Sequence, residues 1–549
     1  MLLGKIALLF FSYTRIAICN SNAVPKLPYD FHQLTSKSYY VDKSELLYTF
    51  FSEREDWMRC GVQFWYYISC PRGFGKTTNL QMIRNFAEIQ VDFMGNRIPK
   101  QNTTAYSIFK NMKIAKIPRF IEAHLAEYPV IYLDFNFTPE DLVNETTCVD
   151  ALFKKIQQCY QQYDWLKPSV RNLTLGTIMH KILHDQYDRN IVRRSIHDLS
   201  AILHEYFAKE VVLLIDDFDS AARMAMKTSR VDVKILYFLI HEVLDKAHHF
   251  TSFVHHAIIT GVTGLNFKSI VYDHRIVERC AFLDDHRFSV HFGFDDHEVG
   301  VILDKYNCSE IERNNLTNYY KGYKVLGLDR RIYNPLSISQ YFISKEQNVS
   351  ENELLKGYWI VDEELDFILN FSTGQDSLFR RKIWGLVNWG AFRASWPIKE
   401  YPPRMLHRFI KLRDSHYQDI EEDDPKGFLA YFFERGFLSH AEGRNVFELP
   451  NMEIKREFMN RFQNDTFINT MPYEPDLVRK VRSVIESDES SALGSGDDYE
   501  LYDDEEESEH REEERHLDVR ITKKQYEEIT RRRKKIARAQ FIKEDARVK

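Results

Sequence analysis

The chain has 549 residues, 44% hydrophobic and 14% aromatic, more apolar material than a single core holds, since cores stop growing at ~250 to 300 residues. Two folded domains and a tail are expected. The formal net charge of -7 averages a mixed body with a strongly segregated C-terminus, and it excludes a globally basic, nucleic-acid-binding surface.

At the N-terminus, Lys5 precedes an apolar run over residues 6–11, followed by small residues and Cys19. This looks like a secretory signal over residues 1–23, cleaved near 21–23, although Arg15 weakens it; the alternative is a frayed cytosolic start. No other segment approaches the ~20 apolar residues of a membrane span, so the mature chain is expected to have none. Glycosylation sequons begin at Asn102, Asn136, Asn144, Asn172, Asn307, Asn315, Asn348, Asn370 and Asn464, an excess that favours the secretory pathway. Asn136, at an expected strand end, is the poorest surface candidate. The seven cysteines have neither CxxC nor His/Cys ligand spacing, which gives no zinc or thioredoxin-like site.

From residue 25 to about 300, short apolar runs (64–69, 130–135, 211–215 and 256–260) alternate with amphipathic helical stretches. That alternation predicts an α/β fold with a mostly parallel sheet covered on both faces. The first run enters the loop Cys70, Pro71, Arg72, Gly73, Phe74, Gly75, Lys76, Thr77, Thr78, and a helix follows over 77–89 with Leu80, Ile83, Phe86 and Ala87 on one face. A strand, a glycine-containing loop and a helix N-terminus in this order form a P-loop. Its amides and helix dipole converge on bound polyphosphate, Lys76 reaches the β- and γ-phosphates, and Thr77 places its hydroxyl on Mg²⁺. Cys70 stands where the common GxxxxGK[ST] pattern has its first glycine.

The run VVLLIDDFD, residues 211–219, ends in adjacent carboxylates. At the carboxyl edge of a parallel sheet, Asp216 falls beside the loop to hold a Mg²⁺-bound water, and Asp217 faces the attacking water. A further run ends in Thr260 and Gly261, where Thr260 either presents a polar sensor to the γ-phosphate or closes an ordinary strand. Residues 301–482 read as a smaller, mainly helical or winged-helix-like lobe with an aromatic patch at 319–323 and a late strand pair around 436–449. Beyond 483 an acidic linker (483–516) precedes a basic helical tail (517–549), expected to be disordered because blocks of like charge bury no core. The basic stretch 531–535 is read as a solvated helix in preference to a nuclear or nucleic-acid patch.

With these residues in place, the chain resembles the AAA-ATPase-like family, P-loop proteins of bacteria, fungi and insects whose bacterial members often carry a C-terminal PD-(D/E)XK nuclease. YYVDKSELL (39–47), PRGFGKTT (71–78), YPVIYLDF (128–135), LLIDDFD (213–219), IITG (258–261) and FGFDDHEV (292–299) are similar to its successive motifs. So are YYKGYKV (319–325), RIYNPLSI (331–338) and FELPNMEIKREF (447–458). The resemblance makes residues 24–300 the AAA-ATPase-like domain. It implies ATP at Lys76 and Thr77, a metal role for Asp216, and a hydrolytic role at Asp217, where the family has Glu. Arg72 matches the first arginine of the family loop and Gly73 replaces the second. The tail takes the place of the nuclease, so no nuclease activity is expected. The expected cofactors are ATP and Mg²⁺, and the expected partners are a nucleotide and a protein of unknown identity. Function is expected to be a slow ATPase or nucleotide-dependent switch, or alternatively a secreted interaction protein with a degenerate site. Localisation is secretory, or cytoplasmic or nuclear if the first segment is not a signal.

Overall fold

The computed structural model describes residues 30–52, 64–227, 253–264, 276–328, 330–360, 386, 390–393, 409, 425–442 and 446–462. The signal-like segment, the linker and tail beyond 483, and the sequons at Asn370 and Asn464 lie outside the described residues.

Strands β1 (Phe64–Ser69), β2 (Val130–Asp134), β3 (Val211–Asp216), β4 (Val254–Gly261) and β5 (Ile276–Ala281) form one all-parallel sheet in the order β2-β3-β4-β1-β5. Parallel neighbours cannot be joined by hairpins, and strands whose two faces are covered by crossover connections bury both sides. This explains why β3 reads as a continuous apolar run with all six residues buried. β5 escaped the sequence reading because Glu278 and Arg279 interrupt its apolar character. At the carboxyl edge the loops continue the ladder past the strand ends. Phe135 N donates to Asp216 O, Phe218 N to Thr260 O, and Cys70 N to Gly261 O, each at 2.9 Å.

Helix α1 (Lys76–Ala87) follows β1 and buries Leu80, Met82, Ile83, Phe86 and Ala87, the face expected from its spacing. Helix α2 (Glu145–Gln161) opens with a reciprocal capping box between Asn144 and Thr147. Helix α3 (Ser220–Lys227) leaves the acid-ended strand. No helix among the described residues is long and apolar enough to cross a membrane.

The C-terminal lobe contains helices α4 (Asp296–Lys305) and α5 (Glu310–Tyr320), then the antiparallel hairpin of β6 (Lys321–Lys324) and β7 (Arg331–Tyr333). Helix α6 (Pro335–Glu346) begins directly after the hairpin. Further on come β8 (Ala391–Arg393), helix α7 (Pro425–Glu434), β9 (Ser439–His440), β10 (Val446–Glu448) and helix α8 (Met452–Phe462). The last three strands form a small antiparallel sheet in the order β8-β10-β9. The expected aromatic patch is core: Tyr319, Tyr320 and Tyr323 are buried, and Tyr323 Oη donates to Gly436 O at 3.1 Å. Tyr323, Ile332 and Trp359 belong to the same apolar core as β1, while Tyr39 from the N-terminal segment joins the second core with Phe294, Leu316 and Phe342.

Among the described residues of the lobe, Glu453 is a buried carboxylate bonded to neutral groups. Ser337 Oγ and Tyr358 N donate to Glu453 at 2.9 Å, and burial pushes its carboxyl up to about 8. The folded value lies above the ~4.3 of an unfolded chain, so folding takes up a proton between those values and stability is lost as pH rises from about 5 to 8. Glu453→Gln mimics the protonated form. Its melting temperature is expected to match wild type near pH 5 and to exceed it increasingly toward pH 8, as followed by thermal denaturation across that range.

Candidate nucleotide site

The phosphate loop is held by three different constraints. Gly75 caps α1 at φ +81, where a side chain is strained, and a Cβ there would meet no protein atom within 4 Å. The glycine is therefore required by conformation and not by crowding. Gly73, at φ +87, is required by both: its Cβ would fall 2.5 Å from Asn334 Oδ1 and 2.9 Å from Leu336 Cβ. Phe74 turns its ring away from the site into the core, 4.5 Å from Phe282 and 4.9 Å from Tyr323 by ring centroids. It is an anchor for the loop, and only its backbone remains for a ligand.

Pro71 is buried against Gly436, while Arg72, Thr77 and Thr78 line an open cavity of about 640 Å³. Cys70 is fully buried and burial pushes its thiol up to about 12, so it is an inert core residue at the position of the usual first glycine. Lys76 Nζ donates to Cys70 O at 2.7 Å and Pro71 O at 2.9 Å. Burial lowers its ammonium below the ordinary lysine value, and the charges of Asp217 and Asp216 oppose that fall.

Asp216, at the end of β3, is the node of the site. Thr77 Oγ1 donates to its Oδ2 at 2.6 Å, and Thr260 Oγ1 donates to its Oδ1 at 2.6 Å. Asp217 N adds a bond of 3.0 Å and Tyr132 Oη one of 3.3 Å. Burial raises the carboxyl, and the two threonine hydroxyls oppose that rise. Thr260 is thus placed differently from a γ-phosphate sensor: it is fully buried beneath Asp216 and orients that carboxylate. β4 lies between β1 and β3, so its threonine bridges the strand that carries the acid and the strand that enters the loop.

Asp217 lines the cavity with left-handed backbone at φ +55. Its carboxylate contacts the guanidinium of Arg223, one turn into α3, so it does not stand free to face a water. Arg223 Nε also reaches Asp219 Oδ2 at 3.2 Å. Asp219 is fully buried and accepts from Val262 N, Thr263 N and Thr263 Oγ1 at 2.9, 2.8 and 2.7 Å. The third acid of the DDFD run is a structural clasp on the exit of β4.

Sequence reasoning missed four residues of the site. Arg223 stands four residues after Asp219, a helical spacing that signals the pair. Tyr132 sits in the motif strand VIYLD, and Asn334 sits in the YNPLSI motif. Asn334 Nδ2 donates to Arg72 O at 3.0 Å, and Leu336 N donates to Gly73 O at 3.1 Å. Arg435, just after α7, has no sequence signal; it is buried, lines the cavity, and burial together with nearby Arg223 pushes its guanidinium down to about 9. The cavity lining also carries apolar and aromatic side chains, among them Phe31, Leu34, Tyr40, Val41 and Phe294.

This donor set fits magnesium only in part. A threonine hydroxyl and a carboxylate are hard oxygen ligands, but among the described residues no three His, Cys, Asp or Glu converge to hold a metal. Phosphate oxygens and water would complete the shell, the usual arrangement for this ion.

A parallel sheet with β4 between the loop strand and the acid-ended strand, a glycine-shaped loop opening a helix, and a loop threonine bonded to the strand acid together define a P-loop nucleotide-binding protein. Residues 29–271 match the family described as Predicted AAA-ATPase. No curated protein matches the chain. Among solved structures it is similar to Cdc6p from Pyrobaculum aerophilum, with 12% identity, a TM-score of 0.26 and coverage of 81% of this chain and 98% of that one. It is also similar to the ORC2 protein of Aeropyrum pernix in ADPNP and ADP complexes, with 11% identity, a TM-score of 0.31 and coverage of 78% and 98%. The fold assignment rests on strand order and loop geometry, not on these likenesses.

Gly73→Ala strains a positive φ and drives a methyl into Asn334, for a cost of roughly 1–3 kcal/mol. Thermal denaturation should show that loss, and Asn334→Ala in the same background should recover part of it by making room.

Proposed function

We propose that the chain binds ATP with Mg²⁺ in this cavity and hydrolyses it slowly, the C-terminal lobe responding to the nucleotide. The observation that carries the reading is the Thr77–Asp216–Thr260 chain of hydrogen bonds beside an open cavity lined by Lys43, Arg72, Lys76, Arg223 and Arg435. Five cations on one lining suit a polyanion, and the apolar side chains that share that lining suit a base. Lys76 exchanges loop carbonyls for phosphate oxygens. Arg435 brings a cation from the lobe to the same space, and Asn334 ties the lobe to the loop, so phosphate contacts and lobe position are linked. Thr77 and Asp216 would hold magnesium, which supplies charge neutralisation on the phosphates.

Asp217 is the candidate base for an attacking water. Its contact with Arg223 engages the carboxylate and turns it from the water, and its side chain is one methylene shorter than the family glutamate. Both effects slow the chemical step and leave ground-state binding intact. A role as a secreted interaction protein is the rival, and it requires that ATP not bind.

ATP at about 100 times its dissociation constant should stabilise the protein by about 2.7 kcal/mol. Lys76→Ala should abolish that thermal shift without altering the unliganded melting temperature; unchanged affinity of the variant by calorimetry overturns the phosphate-site assignment. Asp217→Asn should lower turnover by about 100-fold or more with affinity nearly unchanged, and Asp217→Glu should raise turnover, as measured by phosphate release. Wild-type turnover of ~1 per second or faster that Asp217→Glu does not increase contradicts the shortened-base argument.

A further inference from the structure

The sequons are a sequence feature that nucleotide binding leaves unused. All seven asparagines that fall within the described residues, Asn102, Asn136, Asn144, Asn172, Asn307, Asn315 and Asn348, are exposed. Most lie where a bulky group displaces no core. Asn144 and Asn172 are helix N-caps that use their side-chain oxygen, leaving the amide nitrogen outward of the cap bond. Asn307 and Asn348 occupy left-handed turns at φ +50 and +58.

Asn136 differs from the others. It follows β2 at the carboxyl edge, is exposed despite its place at a strand end, and lines the nucleotide cavity beside Asp134 and Thr77. Its backbone is held on both sides: Asp134 Oδ1 accepts from Asn136 N at 2.8 Å, and Lys155 Nζ donates to Asn136 O at 2.8 Å. These bonds hold the main chain of Asn136 in place on the cavity lining.

We infer that the chain is N-glycosylated at its exposed sequons, and that a glycan on Asn136 closes the nucleotide cavity, so that one polypeptide has an open-site form and a glycan-capped form. In the step, the glycosyl C1–O bond of a lipid-diphosphate oligosaccharide donor breaks and a C1–Nδ2 bond forms. The amide gives up one proton and the lipid diphosphate leaves. The described cysteines are compatible with an oxidising compartment: Cys70, Cys148, Cys159, Cys280 and Cys308 are all buried and unbridged. Burial raises their thiols and withholds the reactive thiolate.

The inference rests on the nucleotide-site reading for its second half, and one experiment separates the two. The full chain is made in a secreting eukaryotic cell and in bacteria without the modification; glycopeptides are mapped by mass spectrometry and ATP affinity is measured on both products. The expected result is a glycan on Asn136 and on other exposed sequons, with affinity weaker than that of the bacterial product by roughly tenfold or more. Asn136→Gln from the eukaryotic cell should regain the bacterial affinity, whereas Asn144→Gln, on a helix cap, should not. An unmodified Asn136, or an affinity that Asn136→Gln leaves unchanged, overturns the proposal. If the bacterial product fails to bind ATP, the nucleotide reading and the capping half fall together, and the glycopeptide map decides the modification by itself.

Discussion

The Asp216 carboxylate is the point to which the rest of the site is tied. A buried carboxylate must have its oxygens occupied, and here the donors come from the phosphate-loop helix through Thr77, from β4 through Thr260, and from β2 through Tyr132. Three elements separated by long stretches of chain are thereby brought to one atom group. The parallel sheet makes this possible because all its carboxyl ends lie on one edge, where strand-end residues and the loops that leave them meet. Thr260 illustrates the consequence. A polar residue inside an apolar strand end is costly unless bonded, and its bond to Asp216 makes it part of the acid's support.

A second constraint joins the lobe to the loop. Gly73 is left without a side chain so that Asn334 can lie against it, and the hydrogen bonds from Asn334 and Leu336 hold the carbonyls of Arg72 and Gly73. The same asparagine accepts from Leu336 N and opens α6 as its cap. Ser337, in the first turn of that helix, is bonded to the buried Glu453 of α8. The loop, the helix after the hairpin and the last described helix therefore form one continuous set of contacts. The N-terminal segment closes the arrangement from the other side, where Lys43 pairs with Glu298 at 2.7 Å.

What was legible in the sequence follows from which interactions are local. β1 to β4 were visible because parallel strands covered on both faces are uniformly apolar, and the start of α1 was visible because a glycine and a lysine-threonine pair mark a loop-to-helix transition. β5 was hidden because Glu278 and Arg279 belong to an edge strand, where charge is tolerated. Asp216 was found from its position at a strand end. The Asp217–Arg223 contact and the clasp made by Asp219 were not, because both depend on how the chain turns after β3, at a residue with positive φ. Asn334 and Arg435 arrive from chain more than 250 residues beyond the loop, and no local spacing reports a contact of that kind. What the sequence did not show of Phe74 is the place of its ring, which packs against Phe282 and Tyr323 and leaves the backbone at the cavity.

The strand order has a consequence for how the molecule is made. β1 pairs with no strand near it in sequence; its partners are β4, residues 254–261, and β5, residues 276–281. A nascent chain thus carries the aromatic segment FWYYIS with both edges unsatisfied until nearly the whole sheet has been synthesised. Closing such long loops before any contact is rewarded makes folding slow, and an apolar strand waiting for its partners is a template for pairing between chains. The phosphate loop acquires its shape only after that wait, because the carbonyl that receives Cys70 N belongs to Gly261. Nucleotide competence is therefore a late event in the life of the chain, and partially synthesised or truncated forms that stop short of β5 expose an aggregation-prone strand in place of a weakened binding site.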